Sequence, residues 1–508
     1  MASYTYPGVY IQEISSGQHT ITGVATSIAA FVGWANQGPV KEPVMVESWT
    51  EYQSKFGGMI PGVYLGYAVY QFFLNGGSQA YIIRLVHTDS AVAGSEIGGL
   101  PISANSPGNW GNNIYVSISN VNTTNNTFNL LVTQVNGSQS QTLESYTNLS
   151  ITATDPLYAV TVINSDSNYI QLNPTGTPPA ITLPTATANP VALNGGTSPT
   201  KGLDGTTLVP DTANFETQLN GTGTGYQLLS GVAIFNLLCV PGETDSGVVG
   251  AMQKFCATER AMLIVDSAQI ATHDTLMTAG APADHSNNPL TGTNAANSAF
   301  YFPWVLAPDP QAGFRPALFP PSGFVAGNYA ATDATRGVWK APAGIEAGLT
   351  SALGLQYTLT DQQNGDLNQL GINCLRQFRT YGNVIWGART IAGADAAGSQ
   401  WKYVPIRRLA LFLESSLYEG TQWVVFEPND ETLWGQIRMN VGTFMQGLFL
   451  QGAFAGSTPQ QAYFVKCDGE NNPDSSVALG IVNILVGFAP LYPAEFVVIQ
   501  IQQIAGQS

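Results

Sequence analysis

Between residues 231 and 266 two apolar runs flank an amphipathic stretch. "GVAIFNLLCVPG" (231–242) and "RAMLIVD" (260–266) are short and continuous, and residues 244–258 between them alternate at helical spacing. This is βαβ organisation, for which a parallel sheet with a crossover helix is the default. "AFYFPWVLAPDP" (299–310) adds a further strand, and "PPSGFVAG" and "WKAPAG" read as Pro/Gly-rich loops.

The pattern on either side differs. "TSIAAFVGW" (26–34) reads as a buried strand stopped by "NQGP", and residues 62–86 as a helix broken by "NGG" and followed by a strand. Residues 88–200 hold short alternating strands between Asn/Gly/Ser turns, then a Pro/Thr/Ala-rich stretch, which together predict an all-β insertion in solvent. In the last third, "VPIRRLALFLESSLYEGTQ" predicts a helix with Pro405 at its start, Gly420 at its stop, and Ile406, Leu409, Leu413 and Leu417 on one face. "PNDETLWGQIRMNVGTFMQGLFLQGAF" predicts a second, capped by Asn429 or Asp430, with Leu433, Ile437, Val441, Phe444 and Leu448 at helical spacing. Strands are expected at 462–468, 480–489 and 495–503.

Composition narrows the function. Only 10% of the 508 residues are charged, against about 25% in an average soluble domain. Interface cores are depleted in charge, so so bare a surface points to large protein–protein contacts. A net charge of −16 argues against nucleic-acid binding, which needs a basic footprint. The four cysteines, Cys239, Cys256, Cys374 and Cys467, are far apart, as expected of buried thiols in a reducing compartment. No secretory signal is visible and no run approaches 18 apolar residues, so no membrane span is expected.

Catalytic chemistry finds little support. The four histidines lie outside HExxH-type spacings, and neither a GxxxxGK[ST] phosphate loop nor a GxSxG elbow is present. No metal site, catalytic residue or cofactor is expected. Asp266, His273 and Ser322 could form a Ser-His-Asp set in an α/β domain, but turn and cap roles fit them better. Arg407 and Arg408 sit in a helix's first turn, where cations oppose the helix dipole; they are either solvated or internally paired, or they contact an acidic partner.

"YPGVYIQEISSG", "ITGVATSIAAFVGWANQGPV", "SPGNWGN", "PPSGFVAGNYAATDATRGVWKAPAG", "VPIRRLALFLESSLYEGTQWVVFEPNDETLW" and "LVGFAPLYPAEFVVIQI" occur in this order. In these stretches the chain resembles the contractile tail sheath proteins of phages, contractile bacteriocins and extracellular contractile injection systems. The resemblance covers most of the chain outside the β insertion. It implies a non-enzymatic structural subunit, stacked as hexameric rings around an inner tube, that contracts to drive the tube through a target envelope. The implied fold is α/β and α+β, multidomain. A conserved inner α+β domain is built from both chain ends, a central α/β domain is subtilisin-like without protease activity, and the β insertion is outermost. The corresponding division is an N-terminal arm (1–25), the first part of the conserved core (26–90), the β-rich insertion (91–200), the subtilisin-like domain (201–365), the tube-facing C-terminal domain (366–490) and a C-terminal arm (491–508). The alternative is another self-assembling shell or tube protein of a phage-like particle.

The resemblance also implies that arms exchange between subunits by adding strands to a neighbour's sheet. The arm residues would be Val9, Tyr10, Ile11 and Gln12 at one end and Phe496, Val497, Val498, Ile499 and Ile501 at the other. The receiving strands would contain Tyr463, Phe464, Val465, Ile481, Val482, Ile484 and Val486. The competing reading folds "EFVVIQIQQ" back on its own chain through "PLYPA". Gly17 and Gly23 would serve as hinges of the N-terminal linker, and Arg407, Arg408 and Arg438 as tube contacts. The implied partners are further copies of the chain, the tube protein, and baseplate and terminator or cap proteins, with neither nucleic acid nor membrane insertion. Assembly in the bacterial cytoplasm would precede incorporation into a tail or particle.

Overall fold

The structure, a computed structural model, describes residues 19–173, 180–279, 293–498 and 500. It divides into a larger unit, residues 25–407, and a smaller one combining residues 19–24 with those from 408 onward.

The larger unit is organised by one eight-stranded sheet. Its strands are β1 (Ala29–Trp34), β2 (Val44–Val46), β3 (Ala80–Leu85), β4 (Leu237–Cys239), β5 (Met262–Asp266), β6 (Ser298–Phe302), β7 (Ile372–Phe378) and β8 (Gly382–Ile385). They lie in the order β8-β7-β6-β5-β4-β1-β3-β2. All neighbouring pairs are parallel except the outermost at each edge, β7–β8 and β2–β3. Every residue of β1, β5 and β6 is buried, as a parallel sheet covered on both faces requires. Ala29 and Phe31 of β1 enter one core with helices α1 (Tyr64–Leu74) and α3 (Ser322–Arg336). Ala30, Val32 and Trp34 enter a second, with helix α2 (Ser246–Thr258). The predicted βαβ unit is therefore β4–α2–β5.

Three expectations change. Residues 26–90 do not join the C-terminal segment in one inner domain, because β1 and β3 lie in the sheet of the larger unit, where β1 pairs with β4. Nor does the domain stop at 365, because β7 and β8 complete the sheet. "PPSGFVAG" is not a loop but the start of α3. Its glycines serve close packing: a Cβ on Gly323 would lie 2.4 Å from the Ala68 carbonyl oxygen of α1.

The insertion folds into two four-stranded antiparallel sheets around a separate core that includes Ile102, Ile118, Phe128, Leu130 and Ile163. It is not all-β, because Ala159–Asp166 is a helix that buries Ala159 and Ile163. Its two ends meet at one neck. Ala91 and Leu203 exchange backbone hydrogen bonds of 3.0 and 2.9 Å, and the Asp89 carboxylate accepts from the Thr206 N–H and hydroxyl. Beside the neck Arg84, 2% exposed, donates to three carbonyl oxygens: Ala35 and Gly38 at 2.7 Å and Pro107 at 2.8 Å. Burial lowers its pKa to about 10, so it stays cationic at neutral pH. Each bond to a charged donor is worth about 1.5–3 kcal/mol. Arg84→Met is expected to lower unfolding stability by about 3–5 kcal/mol, and Arg84→Lys, which cannot span three carbonyls, by more than half of that. Urea denaturation of both variants measures it.

Candidate assembly surfaces

A cluster that could be mistaken for a catalytic centre lies at the C-terminal end of β5. Asp266 is 1% exposed and Ser322 is fully buried. The Ser322 hydroxyl donates directly to Asp266 at 2.8 Å, and the N–H groups of Ser322 and Gly242 donate to the same carboxylate at 2.7 and 3.0 Å. His273 is not between them; it contacts Asp274 at 2.8 Å and Asp366 at 3.5 Å. A Ser-His-Asp nucleophile needs the imidazole between hydroxyl and acid. Here the acid instead ties the start of α3 to the loop after β4. In that loop Glu243, 2% exposed, accepts from the N–H groups of Asp211 and Asp245.

The smaller unit is built on helix α4 (Val404–Gly420) from residue 408 onward and helix α5 (Glu431–Leu450). Leu409 and Leu413 of α4 and Leu433, Ile437, Val441 and Leu448 of α5 are buried at the expected spacing, with Met445 rather than Phe444 completing the stripe. Asp430 caps α5, accepting from the N–H groups of Thr432 and Leu433. Residues 19–24 lie along these helices. His19 stacks on Trp423 with 4.2 Å between ring centroids, Ile21 is buried, and the Val24 N–H donates to Ser416. Gly23 is therefore not a hinge: a Cβ there would lie 2.8 Å from the Phe412 ring, so the glycine makes room for an aromatic contact. Gly17, Val9, Tyr10, Ile11 and Gln12 lie outside the described residues, as do Ile499 and Ile501.

Strands β9 (Tyr463–Lys466) and β10 (Leu485–Phe488) form a two-stranded antiparallel sheet, pairing Tyr463 with Phe488 and Lys466 with Leu485. Not one of its eight residues is buried. One face, with Tyr463 and Phe488, meets Phe454, and the Tyr463 hydroxyl donates to Gln446 of α5. The opposite face exposes Phe464 and Leu485, each at 53%. Among the described residues no third strand joins either edge. The expected receiving residues Tyr463, Phe464, Val465 and Val486 lie in these strands. Ile481, Val482 and Ile484 do not: they precede β10, because asparagine side chains occupy the main chain there. The Asn483 N–H donates to Asn472, its carbonyl accepts from Asn471 and Asn472, and the Ile481 carbonyl accepts from Asn429. Past β10, Phe496, Val497 and Val498 are 76–80% exposed and join no strand.

The three arginines are committed within the chain. Arg408 is only 4% exposed, which withdraws its guanidinium from any surface contact. Arg438 donates to the Cys467 carbonyl and to Glu431 at 2.6 Å, bracing the turn after β9. Arg407 bonds Asn297 at 3.2 Å and stacks over Trp401. Among the described residues no His/Cys/Asp/Glu group could hold a metal, and no helix is long and apolar enough to cross a membrane.

Two family descriptions match this chain: the phage tail sheath protein central domain over residues 229–391, and the phage tail sheath C-terminal domain over 396–504. Together they span just over half of it. The chain belongs to the phage tail sheath family. A protein described as a prophage major tail sheath protein of Pseudomonas aeruginosa (strain UCBPP-PA14) is 26% identical over 287 residues, 54% of this sheath chain and 68% of the relative. The fold is that of solved sheath proteins. The contracted sheath of the extracellular contractile injection system PVC aligns over 99% of both chains, with a TM-score of 0.60 and 21% identity. The contracted helical sheath of the anti-feeding prophage aligns over 99% of this chain and 100% of that one, with a TM-score of 0.59 and 22% identity.

The buried acids near β5 give the sheath subunit a distinctive pH response. Burial raises Asp266 from 3.8 to about 6, against the pull of its N–H donors, and Glu243 from 4.5 to about 8. A carboxyl whose folded pKa is raised holds its proton in the folded state after the unfolded chain has released it. Its contribution is full below the unfolded value and is lost as pH rises through the folded one. Asp89 acts oppositely, held down to about 2 by its Thr206 donors, but its window lies below pH 4. Subunit stability is thus expected to fall between pH 5 and 8, on the order of 1 kcal/mol per pH unit. Urea midpoints across this range measure the slope; Glu243→Gln is expected to flatten it above pH 6, and Asp266→Asn to about halve it below.

Proposed function

We propose that the chain is the repeating subunit of a contractile sheath, polymerised as stacked hexameric rings around an inner tube and held together by strands exchanged between subunits. The observation that carries this reading is the β9–β10 sheet: two open edges, no buried residue, and an apolar face in water. An isolated two-stranded sheet is marginal alone and gains most from further strands. In the proposed assembly, residues around Val9–Gln12 of one neighbour and Phe496–Ile501 of another extend it by main-chain hydrogen bonding. Each incoming Phe, Val or Ile that becomes fully covered contributes about 1.5–3 kcal/mol. The hinge for contraction then lies before residue 19, because residues 19–24 are packed on α4.

In this reading the smaller unit faces the tube through α4 and α5, with the partly exposed Arg438–Glu431 pair on α5, and the 91–200 insertion lies outermost. The central α/β domain is a subtilisin-like scaffold without a nucleophile, in keeping with the direct Asp266–Ser322 bond. No nucleotide site is required, since the assembled sheath itself stores the energy. Baseplate and cap proteins close its ends, the target being a cell envelope reached from a phage tail or a released particle.

Deleting residues 1–18, or ending the chain after residue 490, is expected to leave a folded subunit with an unchanged thermal midpoint that forms no long sheaths. Electron microscopy of the polymers reads the result. Sheaths of normal length from both truncations would remove strand exchange from the mechanism.

A further inference from the structure

The loop joining α4 to α5, residues 421–430, presents a side chain that its own chain leaves unused. Phe426 is fully exposed (102%) and Val425 beside it 59% exposed. The Phe426 backbone has φ +71°, in the left-handed region that a bulky residue rarely adopts. A strained residue with its ring in water is not explained by the folding of one subunit, since glycine or asparagine would hold this turn with less strain. The base beneath it is firm. Trp423 stacks on His19, the Glu427 N–H donates to the Val424 carbonyl at 3.2 Å, and Asn429 bridges Trp434 and Ile481.

The same unit has a concave counterpart. Phe412, Phe444 and Leu448, with residues 20–23, wall a groove of about 480 Å³ between α5 and the N-terminal segment. No lysine, arginine, aspartate or glutamate lines it. Asn440, also on the groove, is 5% exposed and its amide nitrogen is buried without an acceptor. The site thus offers room for an aromatic ring in walls that carry no carboxylate, lysine or arginine. Phe426, fully exposed, does not occupy the groove of its own chain.

We propose that the Val425–Phe426 knob of one copy seats in the groove between α5 and residues 20–23 of a second copy. The inference rests on the self-assembly reading above and adds a second, side-chain-mediated contact to it. A second copy is favoured because both halves of the contact are present on this one chain. Knob and groove are different patches, so the contact is heterologous and propagates into a ring or filament instead of closing as a dimer. Neither half is charged, so an acidic or basic partner gains nothing there. Aromatic anchors in desolvated pockets are the residues that dominate such interfaces.

The full-length chain, polymerised and viewed by electron microscopy, tests this. Phe426→Gly removes ring and strain together; the unassembled subunit is expected to melt at the same temperature or higher, while sheath yield falls at least ten-fold. Gly447→Leu fills the groove from a position where a Cβ meets nothing within 4 Å, and is expected to cause the same loss in a folded subunit. The four native cysteines are buried, so a Phe426→Cys, Gly447→Cys double variant supplies the accessible thiol pair. Oxidised in the polymer, it is expected to give a covalent ladder beyond the dimer, absent from either single variant. Wild-type assembly by Phe426→Gly and Gly447→Leu, a ladder that stops at dimers, or a Gly447→Cys thiol that couples to Tyr10→Cys instead would overturn the proposal, the last giving the groove to the N-terminal arm. If the unsubstituted chain itself forms no polymer, the self-assembly reading falls with it; if it polymerises and both variants do too, only the knob contact falls.

Discussion

A six-residue strand, bonded along both edges and buried on both faces, holds the larger unit together. β1 pairs with β3 from the same stretch of chain and with β4, whose residues come some two hundred positions later. Such a pairing is entropically costly unless the intervening chain is itself ordered. The insertion meets that condition by leaving and returning at one point, through the reciprocal Ala91–Leu203 bonds and the Arg84 clasp. A separate core then lets the insertion vary in surface without disturbing the sheet that carries it. The neck, and not the insertion's own surface, is the part on which the central domain depends.

The smaller unit presents the opposite condition. Where β1 satisfies both edges and both faces within one chain, β9 and β10 satisfy one edge each and one face between them. Among the described residues, more than half of the exposed large apolar side chains lie after residue 408, although this segment is only a fifth of the chain's length. Exposed apolar surface is therefore concentrated after residue 408, whereas the scarcity of charge runs through the whole chain. A free monomer with this surface would be prone to association; a subunit built to associate uses it.

Local patterns in the sequence were legible where the physics is local. β4–α2–β5 could be read because buried parallel strands are unbroken apolar runs, and α4 and α5 because their buried residues recur at helical spacing between recognisable caps. The family resemblance carried the open β9–β10 sheet further than periodicity could. What escaped depended on partners distant in sequence. Nothing in "TSIAAFVGW" says that its neighbour is "LLC". The glycines of "PPSGFVAG" looked like breakers because the helix they pack against is two hundred and fifty residues away. Gly23 looked like a hinge for the same reason: the Phe412 ring that demands it is invisible from residue 23. The helix at 159–166 was hidden by its β-branched residues, which tertiary packing overrode.

The asparagine cluster before β10 sets the length of the open sheet. Asn471, Asn472 and Asn483 occupy the main-chain groups that would otherwise extend the ladder, so only four residues on each strand remain for pairing. A four-residue addition offers a handful of main-chain bonds at roughly 1 kcal/mol each, so before its apolar side chains are seated an arm is held too weakly to lock one subunit irreversibly. Under the proposed exchange that weakness is useful. A misplaced arm can release and rebind while a ring is forming, whereas in a completed sheath the link recurs at every subunit and the whole array must let go together. Under that proposal the acceptor is short enough to correct and numerous enough to hold, and its shortness follows from where three asparagine side chains end the ladder.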